Sequence, residues 1–296
     1  MEQRGSRPAI DVVVPFAGSD ESLREAAQSL AAMRLGAGDT LTVVDNRPGG
    51  PGGDPREVEG VRVVRAPERQ SSYFARNRGA GLGVAEWLLF IDADVRPAPD
   101  LLDRYFDRQP GERTAVLAGG IADVEAGSST AVGRFLTRSS SMSQANTLRG
   151  DWPYAQTANC AVRRSAFDEV GGFTDTIRSG GDADLCFRLR AAGWELETRD
   201  EAVVEHVART TVRALAAQRL RHGSGSAWLD RAYPGSFPAA SLPGLVKWTA
   251  LELGRALVRG ARGDRDGAAA AGLDLITFWA MQVGRLRSNV VGGSGS

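Results

Sequence analysis

The run Trp87-Leu88-Leu89-Phe90-Ile91-Asp92-Ala93-Asp94 constrains this chain most. Five bulky apolar residues in succession, closed by polar ones, suit a strand buried on both faces better than a half-exposed, alternating one. Asp92 and Asp94 then stand where the strand leaves the core. In open α/β sheets ligands bind outside that carboxyl edge. Two acids two residues apart repel each other, so an arginine or a divalent cation is expected beside them.

The surrounding pattern says what sheet this strand joins. Residues 10–14 read as a strand stopped by Pro15. Ser19 caps a following helix whose Leu23, Ala26, Ala27, Leu30 and Met33 recur at helical spacing. Residues 41–44 form a second buried strand closing on Asp45-Asn46, and 61–64 a third. The Pro/Gly-rich stretch 47–55 between them is loop. Residues 74–85 read as a helix leading into the acidic strand, despite Gly79, Gly81 and Gly83. The order β-α-β-β-α-β argues for a mixed, mainly parallel sheet flanked by helices, with Asp45 and the acidic pair at one rim. Further on, a helix is expected over 100–106 and strands over 115–119 and 154–162. A long Ser/Thr/Gly-rich excursion is expected at 127–148. Helices follow at 165–170 and 182–192, then two short strands at 195–198 and 202–207. From Thr211 the pattern is helical.

Composition limits the partners. Thirty-six basic and 36 acidic side chains cancel, so no long-range field favours nucleic acid. Lys247 is the only lysine, and in so Arg-rich a chain a single arginine carries little weight by itself. Two cysteines, Cys160 and Cys186, make no disulfide framework and suit a reducing cytoplasm. No basic-then-apolar leader opens the sequence, so no secretion signal is expected. The segments 242–259 and 268–286 are apolar but interrupted by Lys247, Glu252, Arg255, Asp274 and Arg285. They are too charged to span a bilayer. They can pack on the catalytic part, pair with another subunit, or lie peripherally on the inner face of a membrane. The tail 292–296 reads as a linker.

The ordered set Val12-Val13-Val14-Pro15, Val43-Val44-Asp45, Ala75-Arg76-Asn77, Phe90-Ile91-Asp92-Ala93-Asp94, Gly181-Asp182-Ala183-Asp184-Leu185 and His206 resembles the inverting glycosyltransferases of family 2, over residues 10–225. The resemblance implies the Rossmann-like GT-A fold, a nucleotide-diphospho-sugar donor and a Mg²⁺ or Mn²⁺ ion. It divides the chain into a transferase domain, 1–225, and a C-terminal helical region, 226–291. Within the first, 1–100 bind the donor and 101–225 form the acceptor side. It assigns the metal to Asp94 with His206, and donor binding to Pro15, Phe16, Asp45, Arg76 and Asp92. Asp182 becomes the general base, because inversion requires the acceptor hydroxyl to lose its proton as it attacks. Asp184 supports it. Trp152, Tyr154 and Asn159 fall where the family lines its acceptor pocket. Arg219, Arg221 and His222 resemble a basic stretch that closes over the diphosphate in some members. Two departures stand out: Asn46 where a second acid is common, and Gly181 where the family commonly carries Glu. The acceptor stays open: glycan, lipid carrier, peptide or natural product.

Two other readings compete. Haloacid-dehalogenase-type phosphotransferases use hydrophobic–Asp-x-Asp after their first strand together with a downstream lysine. Here strands precede the motif and Lys247 lies far along a helix. A degenerate, sugar-nucleotide-binding scaffold is suggested by Gly181 and opposed by the retained acids.

Overall fold

The computed structural model describes residues 7–49, 54–125, 127, 129–139 and 142–291. The first six residues and the 292–296 linker lie outside the described residues, as does part of the 47–55 loop. The described chain runs β1 (Ile10–Phe16), α1 (Asp20–Ala31), β2 (Thr40–Asp45), β3 (Arg56–Val58), β4 (Val61–Arg65), α2 (Ser72–Ala80), β5 (Trp87–Ile91), β6 (Val95–Pro97), α3 (Leu101–Tyr105), β7 (Thr114–Val124), α4 (Ala131–Ser139) and α5 (Gln144–Thr147). It continues β8 (Asn159–Arg163), α6 (Arg164–Glu169), α7 (Gly181–Ala191), β9 (Glu195–Val207), α8 (Val212–Ala232), α9 (Leu242–Ala261) and α10 (Arg265–Arg285).

One sheet takes the order β3-β4-β2-β1-β5-β8-β7-β9-β6 among the described residues. Its β4-β2-β1-β5 part is parallel, as the alternating sequence requires. Antiparallel pairs flank it: β3 with β4, β5 with β8, β7 with β8, and β6 with β9. β5 is buried along its whole length. The parallel registers of β1 with β2 and β5 put Asp45 and Asp92 at the same rim.

Only three residues, Asp92 to Asp94, link β5 to β6, although four strand spacings separate them in the sheet. On a flat sheet that is about 19 Å. The link reaches no more than about 14 Å. The sheet must therefore curl, bringing its β9–β6 edge back against the carboxyl end of β5. This curl makes a rim into a site.

Several boundaries differ from the sequence pattern. β1 runs through Pro15 because its register with β5 ends at Val13; beyond that it is an edge, where a missing N–H is tolerated. The helix expected over 74–85 ends at Ala80. Gly83 then passes so close to the buried Asp11 carboxylate that a Cβ would lie 2.2 Å from Oδ2. β3 and β6, three residues each, escaped notice, being too short to show a period. The two strands expected at 195–207 are one, β9. The 127–148 excursion contains α4 and α5.

The chain divides into two compact units, each discontinuous in sequence. The first holds residues up to Ala122, Met142–His206 and Val290 onward; the second holds Asp123–Ser141 and Val207–Asn289. Helix α8 lies in the second unit. In that unit Val132, Phe135, Leu136, Ala208, Leu215 and Leu273 make a small core. There α8 and α10 meet at glycines: a Cβ on Gly223 would lie 2.1 Å from the Met281 carbonyl oxygen, and one on Gly284 2.2 Å from that of Leu220.

Candidate active site

The first unit gathers the acids. Ser71 caps α2, accepting from the amides of Tyr73 and Phe74, and also donates to the Ile177 carbonyl. Asn77 makes two backbone bonds with Phe173: Nδ2 donates to its carbonyl (2.8 Å), and Oδ1 accepts from its amide (2.9 Å). Arg69 pairs with Asp175, and the Tyr73 and Phe173 rings stack at 5.6 Å. Together these fasten α2 to the loop before α7. That fixes Arg76, on α2, relative to Asp182 in the first turn of α7.

Arg76 is buried. One terminal nitrogen of its guanidinium bonds Asp92 Oδ1 at 2.5 Å, while its Nε is buried with no hydrogen-bond partner among the described residues. The positive group expected beside the acidic pair is therefore this arginine. Burial pushes the Asp182 carboxyl above its usual range; the Ala183 amide (3.0 Å) and Arg76 pull it back, and the negative Asp92 adds to the rise. Asp182 thus shares one electrostatic neighbourhood with Arg76 and Asp92. Asp184, by contrast, is buried and used: it accepts from Thr174 Oγ1 at 2.8 Å and from Arg188 at 2.8 and 3.1 Å. It stabilises α7 and its approach.

Gly181 has a local explanation. A Cβ there would come within 2.7 Å of the Tyr73 ring, so the ring fills the space a glutamate would need. Gly180 just before it takes the left-handed conformation (φ 89°) that suits glycine.

On the curled edge, Val95 of β6 pairs with His206 of β9. That register brings exposed Asp94 beside buried His206, with Oδ2 3.7 Å from Nε2. A carboxylate and an imidazole this close are a donor pair that could hold one divalent cation. Among the described residues no three His, Cys, Asp or Glu side chains group as a metal centre.

Around Asp45, where donor binding is expected, the carboxylate is already paired. Asp45 is fully buried. Arg47 donates to it through Nε (3.0 Å), a terminal nitrogen (2.8 Å) and its amide (3.1 Å), and Arg65 lies 3.1 Å away. Burial alone would raise this carboxyl; the bonds from Arg47 and Arg65 outweigh it and hold it below the usual range. Asp45 therefore orients arginines rather than presenting free oxygens. The Arg47 guanidinium also lies 5.7 Å from the Phe16 ring centroid, and the amide of Asn46 donates to the Phe16 carbonyl. Pro15 sits beside them in β1, paired with Val44. Asn46 is structural, its amide nitrogen bridging the carbonyls of Ala66 and Arg69. Arg47 and Arg65 were missed because arginine is so common here that position alone did not mark them.

On the acceptor side, the half-buried Trp152 and Tyr154 both pack edge-on to Phe187, at 5.0 and 6.4 Å. Burial raises the Tyr154 hydroxyl and the Asp182 charge raises it further, which places this tyrosine near the proposed base. Asn159 is tied into the sheet. Fully buried, it donates to the carbonyls of Gly120 and Ala202 and accepts from the Tyr105 hydroxyl, so its amide ties strands together and is not offered to an acceptor. Arg219, Arg221 and His222 lie on α8 in the second unit. Burial, then the charges of Arg219, Arg221 and Arg209, pushes His222 down to about 4.

A family model described as "Glycosyl transferase family group 2" matches residues 87–281. The Pre-mycofactocin glycosyltransferase of Mycobacterium tuberculosis is 28% identical over 260 residues, covering 84% of this chain and 54% of that protein. The glycosyltransferase AglE of Haloferax volcanii is 25% identical over 240 residues, 76% of each. The chain thus spans about half the length of the first of these relatives and three quarters of the second. Among solved structures, a mannosyltransferase from Pyrobaculum calidifontis in complex with GDP-Man and Mn²⁺ superposes with a TM-score of 0.56 at 16% identity, covering 95% of this chain and 74% of that one. That likeness concerns the fold. The family match spans the acidic strand, the Asp182 helix and His206, and with it the chain belongs to glycosyl transferase family group 2, as a GT-A-type glycosyltransferase.

Proposed function

We propose that this chain transfers a sugar, with inversion, from a nucleotide-diphosphate donor to an acceptor hydroxyl. The observation that carries the reading is the Asp92–Arg76–Asp182 grouping at the sheet rim. It joins an acid at the donor edge, a fixed cation with an unpartnered N–H, and a carboxylate whose proton affinity is raised. Asp182 takes the proton of the acceptor hydroxyl as its oxygen attacks the anomeric carbon; a raised carboxyl is the better base for this. Arg76 holds Asp92 and turns its Nε–H toward donor oxygens, which charge-assisted bonds favour. Arg47, oriented by Asp45 and backed by Phe16, receives the nucleoside end. Asp94 and His206 hold a divalent cation, Mn²⁺ or Mg²⁺, which when bound neutralises charge on the departing diphosphate. Trp152 and Tyr154 offer ring faces and edges to the acceptor beside Asp182.

The test is turnover with a panel of GDP-, UDP- and dTDP-sugars plus Mn²⁺, following release of the nucleoside diphosphate. Transfer or slow donor hydrolysis with one donor, abolished by EDTA and lost in D182N and D94N, is the expected result. Near-normal turnover by either variant overturns the residue assignments.

A further inference from the structure

Tyr73 stands where the three elements that carry the reacting groups meet. It lies in the first turn of α2, one turn before Arg76. Its buried ring stacks on that of Phe173, in the loop before α7, at 5.6 Å. Phe173 in turn packs edge-on to Phe90 of β5 at 5.1 Å, and Asp92 directly follows β5. The Arg76 guanidinium carbon lies 5.8 Å from the Tyr73 ring centroid, close enough for the ring to attract the cation. One ring thus joins the supports of Arg76, Asp92 and Asp182.

Its contact with α7 is the tightest of these. Gly181 is the first residue of that helix and Asp182 the second. A Cβ on Gly181 would lie 2.7 Å from both Cε1 and Cζ of the ring, so the ring rests on the backbone that leads into Asp182. The bond from the Ala183 amide to Asp182, 3.0 Å, lies within the same turn and does not set that turn relative to Arg76. A close-packed ring wedged between the two does. The Tyr73 hydroxyl offers no second base: burial, and then the Asp182 charge, push its ionisation above the usual phenol range, so it stays neutral.

We propose that Tyr73 is a positioning residue for the transfer: its ring sets the Asp182 carboxylate toward the acceptor hydroxyl and the Arg76 guanidinium toward Asp92, acting through those two residues. This rests on Asp182 as the base. The experiment measures turnover of GDP-, UDP- and dTDP-sugars with Mn²⁺ by the full chain, beside calorimetric binding of GDP, UDP and dTDP and the Tm. Y73L should lose about tenfold or more in kcat, with nucleotide affinity within about twofold of wild type. Y73F, which keeps the ring, should stay within about twofold in both. Gly181 lies inside a helix, where alanine is a good former, so a loss in G181A reports the ring it would strike. G181A should lower kcat about tenfold beside Tyr73 but less than about threefold in the Y73L background, because leucine ends short of Cε1 and Cζ. Three results overturn the proposal: wild-type kcat in Y73L with only a lowered Tm, nucleotide affinity falling in step with kcat, or Y73L and G181A losses that simply multiply. The two failures are distinguishable. Normal turnover by D182N removes the base and the proposal together, whereas an inert D182N beside a fully active Y73L removes Tyr73 alone.

Discussion

At the scale of single residues, the proposed reaction turns on Asp182 and Arg76. Replacing Asp182 with Asn removes the base while keeping shape and the acceptor for the Ala183 amide. We expect kcat to fall by roughly 10²- to 10⁴-fold with little change in donor affinity, measured by steady-state kinetics beside donor binding. The pH profile follows from the raised carboxyl. A base must be unprotonated to act, so activity climbs with pH through a midpoint above the ordinary aspartate value. Arg76 opposes that rise and neutralises Asp92, which promotes it. Substituting Arg76→Met should therefore move the acid limb of kcat/KM to still higher pH; an unmoved or lowered limb would separate Arg76 from Asp182. Both were picked out through the family resemblance; what the chain's own pattern displays is the apolar run of residues 87–91 ending at Asp92 and Asp94. Arg47 and Arg65 were not legible, because an Arg-rich sequence gives no contrast. Nor was the commitment of Asp45 and Asn159, which depends on partners distant in sequence.

At the level of elements, site geometry rests on the packing of α2 against the sheet. Gly79 lies so close to β1 and β2 that a Cβ would fall 2.3 Å from Val13 Cγ1 and 3.0 Å from Val44 Cγ2. Gly79→Ala should cost about 1–3 kcal/mol in denaturant unfolding, through overpacking. Gly81→Ala, where a Cβ would meet only carbonyl oxygens at 3.7 Å and φ is −75°, should be neutral or slightly stabilising. Equal effects would contradict this account of the helix. The parallel half of the sheet was legible because each strand is a buried apolar run between helical periods. The short β6 was not, yet it creates the Asp94–His206 pair. Three residues cannot display a period, and the β6–β9 register is fixed only when the sheet curls.

For the molecule as a whole, charge is balanced but unevenly distributed. In the second unit the depressed His222 sits among arginines, and linkage gives its sign. The folded chain holds this histidine neutral down to about 4, whereas the unfolded chain protonates it near 6.5. Stability is therefore present above pH 6.5 and is lost as pH falls from 6.5 toward 4, by at most about 3 kcal/mol. His222→Gln should flatten the Tm–pH curve in that window; a curve as steep as wild type would assign the loss to other groups. The central claim, that one rim of the first unit holds donor and cation while Asp182 alone drives the proton transfer, separates binding from chemistry. It is tested most directly by titrating Mn²⁺ and donor nucleoside diphosphate calorimetrically into the wild-type chain, D94N and D182N, beside turnover. The account predicts that D94N loses about tenfold or more of the Mn²⁺-dependent nucleotide affinity, whereas D182N binds like wild type and does not turn over. Wild-type binding and turnover in D94N, or loss of nucleotide binding in D182N, would contradict it.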